Sequence, residues 1–111
     1  MKKLFQNYNF EFNSSEKKIL GTFLKQVLKQ LGDNKDYYPY TTAYKSVLEK
    51  INSGDETIRL TKDEKGKVKE QLENSLKLYK KEIKKAWFFK RWLYRSMITQ
   101  YEALVENHFK N

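Results

Sequence analysis

The chain has 111 residues, a net charge of +9, one histidine and no cysteine. That length suits one domain with its own core, and the missing thiols exclude a disulfide scaffold, a cysteine zinc site and thiol catalysis. No run approaches the roughly 20 apolar residues of a membrane span. The opening Met1-Lys2-Lys3-Leu4-Phe5 turns polar at Gln6-Asn7 before a leader core forms, so a cytoplasmic protein is expected.

Residues 1–13 read as an extended arm or short strand, because Tyr8, Phe10 and Phe12 alternate with Asn7, Asn9 and Glu11. Asn13-Ser14-Ser15-Glu16 is a capping box, in which a side-chain oxygen takes free amides and Glu16 reaches back. From there Ile19, Leu20, Phe23, Leu24, Val27, Leu28 and Leu31 form one stripe, which predicts a helix over 15–31 that stops at Gly32. Asp33 to Tyr40 reads as a loop, with Pro39 disfavouring helix at Tyr38. A second helix is expected over 42–51, burying Tyr44, Val47, Leu48 and Ile51 and ending at Asn52-Ser53-Gly54. Residues 57–60 are an extended link or the partner of 8–12 in a two-stranded ribbon, which needs a helix over it to be stable.

Thr61-Lys62-Asp63-Glu64 is a second capping box. Beyond it there is no proline and only Gly66 before Phe109. Val68, Leu72, Leu76, Tyr79, Ile83, Ala86, Trp87, Leu93, Tyr94, Met97, Ile98, Tyr101, Leu104 and Val105 share one helical face. One long helix over about 62–109 is therefore expected in preference to a hairpin, with a bend near Trp87–Arg91 as the variant. Such a helix would be roughly 70 Å long. Two short helices cannot line that length, so a homodimer through the long seam is inferred. The fold expected is a mainly α single domain over 1–111, a small helical bundle with a minor β-ribbon.

The segment 80–95 departs furthest from an ordinary surface helix. Seven basic residues (Lys80, Lys81, Lys84, Lys85, Lys90, Arg91, Arg95) less Glu82 give it a net +6, interleaved with Trp87, Phe88, Phe89, Trp92 and Tyr94. On a continuous helix Phe88 and Trp92 fall opposite the main stripe, flanked by Lys81, Lys85 and Arg95. Two readings are open. Helix one or the arm packs over both rings, or they form an exposed docking stripe. In the second reading Lys81, Lys85, Phe88, Trp92 and Arg95 are the partner-binding residues.

A protein partner is the expectation, making the chain a non-catalytic interaction or regulatory module. Nucleic acid is the alternative, with lysines for phosphates and rings for unpaired bases. Against it, only Arg59, Arg91 and Arg95 of the 23 basic residues are arginine, and lysine lacks the fork that grips phosphate. An anionic membrane surface comes third, because insertion requires a free apolar face and this one continues the core stripe. No enzyme, metal or cofactor is expected: His108 has no second histidine or cysteine to complete a site. The paired acids Asp63/Glu64 and Glu102/Glu106 read as helix-surface charges. Tyr37, Tyr38 and Tyr40 around Pro39 either form a recognition tip or lie down on a helix.

Overall fold

A computed structural model describes residues 8–110, with Phe89 described by its backbone alone. The part of the expected arm in 1–7 lies outside the described residues. The fold is mainly α. Its elements are β1 (Tyr8–Phe10), α1 (Ser14–Leu31), a 3-10 turn (Lys35–Tyr37), α2 (Tyr38–Ile51), β2 (Ile58–Leu60), α3 (Lys62–Glu82), α4 (Phe88–Leu104) and a terminal π turn (Val105–Phe109). The chain divides between Lys67 and Val68 into two compact units.

In the first unit the capping box forms as the sequence dictates. Asn13 Oδ1 accepts the Glu16 amide at 2.8 Å, and Glu16 Oε1 accepts the Asn13 amide at 3.0 Å. The helix ends at Gly32, whose φ of 59° lies in the region that favours glycine. α1 buries Leu20, Phe23, Leu24 and Val27, and it packs on α2, which buries Ala43, Tyr44, Val47 and Ile51.

β1 pairs antiparallel with β2 in the register Tyr8↔Leu60, Asn9↔Arg59, Phe10↔Ile58. The ribbon exists because one face is apolar and covered: Phe10, Ile58 and Leu60 are buried, while Asn9 and Arg59 are exposed. Beyond it Phe12 stacks on Phe10, with ring centroids 5.4 Å apart.

α2 begins at Tyr38, four residues before the expected start. Asn34 caps the preceding 3-10 turn by accepting the Asp36 amide at 2.9 Å. Pro39 then sits in the first helical turn, where an N–H is not needed and a fixed φ helps. The restriction a proline puts on its predecessor is overcome here. Thr41 Oγ1 adds bonds to the carbonyls of Tyr37 and Tyr38 at 3.1 and 3.2 Å.

The second unit corrects the single helix expected over 62–109. The chain is helical to Glu82, turns over 83–87, and re-enters helix at Phe88. α4 runs back along α3. The Tyr79 ring lies 5.8 Å from both Tyr94 and Tyr101, Lys80 pairs with Glu102 at 2.7 Å, and Lys69 Nζ reaches the Lys110 carbonyl at 3.4 Å. The apolar stripe folds back on itself, so the continuous seam that suggested self-pairing is not present. Val68, Leu72, Leu76, Tyr101, Leu104 and Phe109 are buried.

Candidate binding surface

The end of the hairpin has no proline or glycine, and like charge disfavours continuing the helix there. Had the helix continued, Lys80 would face Lys84 and Lys81 would face Lys85 at like-charge i,i+4 spacing, which destabilises a helix. At a helix C-terminus the same lysines meet the negative end of the dipole and stabilise it. The backbone closes with Ile83 N–H on the Tyr79 carbonyl at 2.9 Å, Lys85 on Glu82 at 3.0 Å and Ala86 on Ile83 at 3.4 Å. Trp87 is extended (φ −63°, ψ 160°), and its carbonyl accepts the Arg91 amide at 2.7 Å as the first bond of α4. The Arg91 guanidinium donates to the Ala86 carbonyl at 3.4 Å.

This end carries the most exposed aromatic side chains described in the second unit, with Leu78 exposed a turn before it on α3. Phe88 is 78 % exposed, Trp87 75 %, Trp92 71 % and Leu93 51 %. Lys81, Lys84, Lys85, Lys90, Arg91 and Arg95 are exposed with them. Phe88 and Trp92 are not packed against α3 within the second unit, and both are exposed. Trp87 and Leu93, which the helical phase assigns to the core face, are also exposed. Phase was carried across 83–87 as if those residues were helical, and the turn breaks it.

The five residues singled out by sequence do not form one stripe. Phe88, Trp92 and Arg95 share a face of α4 through their i, i+4, i+7 spacing. Lys81 is in the last turn of α3 and Lys85 is in the turn, so they reach the same hairpin end from a different segment. The five-residue set leaves out Trp87 and Leu93, because the helical phase places both on the core face; Trp87 enters the sequence reading only as an inserted ring of the membrane alternative. The four lysines at 80, 81, 84 and 85 are the one local sign that the helix weakens there.

Glu64 is a second feature the sequence reading treated as a surface charge, and it is buried. Its carboxylate accepts from Lys50 Nζ at 2.7 Å, Ser46 Oγ at 2.5 Å and the Thr61 amide at 2.9 Å, and Thr61 Oγ1 caps the Glu64 amide at 3.1 Å. Burial alone would push this carboxyl up. The bonds from Lys50, Ser46 and Thr61 outweigh it and hold the group below the usual carboxylate value. Glu64 thereby caps α3 and ties it to α2.

Tyr37 and Tyr38 are exposed beside Pro39, a smaller aromatic patch without a basic surround of comparable density. An open groove in the second unit is lined by Glu70, Glu73, Leu76, Lys77, Glu102 and Glu106 among others. Among the described residues no group of three or more histidines and acids is arranged to hold a metal, and no helix is long and apolar enough to cross a membrane. No known protein family, characterised protein or solved structure shows a significant match to this chain.

Proposed function

We propose that this chain is a non-catalytic binding module of the cytoplasm whose working surface is the aromatic–basic end of the α3–α4 hairpin. One observation carries the reading: Trp87, Phe88, Trp92 and Leu93 stand exposed in a segment of net +6. Leaving large apolar side chains in water has no folding benefit, and clusters of them mark contact surfaces. The cations around them select a partner with negative charge and raise its rate of encounter. Self-pairing through a seam is not part of the proposal, since the stripe that motivated it is folded back.

The test compares the natural chain with two variants, Phe88→Ser/Trp92→Ser and Lys85→Glu/Arg95→Glu, on three anionic probes: a polyglutamate matrix, an oligonucleotide and vesicles containing phosphatidylserine. The reading expects at least one probe to be held by the natural chain and lost by both variants. Binding retained in both variants, or no binding to any probe, would overturn it.

A further inference from the structure

Resting on that reading of the hairpin end, we infer that the surface it docks on is an anionic lipid bilayer, with the end acting as a shallow interfacial anchor. The sequence objection to a membrane was that the apolar face of 80–95 continues the core stripe. The turn at 83–87 removes that objection, because it puts Trp87 and Leu93 into solvent together with Phe88 and Trp92.

The directions of these side chains separate the candidate partners. On α4 the step from Phe88 to Trp92 is about 40° and from Phe88 to Leu93 about 140° around the axis. Trp87 leaves from extended backbone just ahead of them. A protein groove takes one helical face, read as i, i+3, i+4 anchors. Apolar groups fanned around a hairpin end suit a fluid phase that closes over them from all sides. Leu93 brings no π-face for a nucleic-acid base to stack on.

Charge agrees with that geometry. The second unit is polarised: outside 80–95 its charges are Lys69, Lys77 and Lys110 against Glu70, Glu73, Glu102 and Glu106, three less four, or −1, while 80–95 carries +6. The second unit is thus drawn towards an anionic plane hairpin end first. All seven of those cations are exposed, Lys80 being paired with Glu102 and the other six (Lys81, Lys84, Lys85, Lys90, Arg91, Arg95) lying nearer the apolar cluster. Point-charge lysines serve lipid headgroups well, since attraction to an anionic leaflet needs no bidentate fork. Tryptophan is favoured at the headgroup boundary, where its ring is apolar and its N–H stays wet. Tyr101 and Leu104 are buried further along α4, so only the turn and the first turns of that helix are available to enter the interface. Such a depth is an anchor, not a span.

The chain's two tryptophans are Trp87 and Trp92, so its tryptophan emission reports on the hairpin end alone. The experiment titrates the full chain with phosphatidylcholine vesicles with and without phosphatidylserine, at low and raised salt, following emission and co-sedimentation. The proposal expects a blue shift and co-sedimentation with the anionic vesicles, weakened by salt and far smaller with neutral ones. The variant Phe88→Ser/Leu93→Ser keeps both tryptophans and should bind about tenfold more weakly or worse.

No spectral response to anionic vesicles overturns the proposal, as does equal affinity for neutral ones. Tip-dependent binding of polyglutamate or oligonucleotide without vesicle binding also overturns it, in favour of an acidic protein or nucleic acid, and leaves the working surface intact. Blue-shifted emission in the free chain would instead overturn the exposed surface itself.

Discussion

Replacing Phe88 and Trp92 together with alanine should leave the fold nearly as stable as before. At 78 % and 71 % exposure, about a quarter of each residue's surface is covered. For rings of this size that is roughly 50 Å² each, or about 1 kcal/mol per site at 25 cal/mol per Å². Alanine returns about 0.5 kcal/mol of helix propensity at each position, leaving a net loss of about 1 kcal/mol for the pair. Leu104 is the control within the same helix. It is 1 % exposed, and Leu104→Ala should cost about 2–5 kcal/mol. At roughly 4 °C per kcal/mol for a chain of this length, thermal melts followed by helical circular dichroism separate the two variants clearly. A double variant that melts as low as Leu104→Ala would refute the placement of both rings in solvent.

The remaining predictions concern the supports of the fold. Glu64→Gln should cost about 1.5–3 kcal/mol at neutral pH, because charge-assisted bonds from Lys50, Ser46 and Thr61 are weakened. The folded carboxyl lies below its ordinary value, so its stabilisation is present above the usual glutamate range of about 4.3 and is lost as pH falls through the folded value. Urea midpoints should therefore drop on acidification more in the natural chain than in the variant; equal acid sensitivity would count against the network.

Tyr101 is pushed up to about 12 by burial and by the neighbouring Tyr79. The stabilisation from its neutral form is complete below the ordinary phenol value and is lost as pH rises through about 12. Alkaline absorbance titration should show a late tyrosine that ionises with loss of helix, and Tyr101→Phe should remove that step. Gly66→Ala places a methyl in open space within α3 and should raise stability by up to about 1 kcal/mol in the same urea assay.

Where local chemistry decides the structure, the sequence was legible. Asn13 with Glu16 and Thr61 with Glu64 mark both helix starts because a capping box needs only residues three apart. The alternation of Tyr8, Phe10 and Phe12 marks an extended arm or short strand, and the strand that forms is Tyr8–Phe10. The hairpin was not legible in that way. No proline or glycine stands at 83–87, and the turn is fixed by pairings between distant residues, Tyr79 with Tyr94 and Tyr101 and Lys80 with Glu102.

The acids in the first turn of α3 and the lysines in its last are the local trace of that ending. Phase extended past 82 then assigned Trp87 and Leu93 to a core they do not join. Of the candidate surface, Phe88, Trp92, Lys81, Lys85 and Arg95 were visible as an aromatic–basic cluster, but their exposure depended on a turn that only packing reveals. The early start of α2 is a smaller case: Pro39 was read as a stop, although in a first turn it is a start.

The most direct test of the hairpin end as the working surface is hydrogen exchange of the full chain, free and on phosphatidylserine-containing vesicles. Amides of 83–92 should gain protection on the vesicles while those of α1 and α2 stay unchanged. Protection confined to the first unit, with 83–92 unaltered, would contradict it.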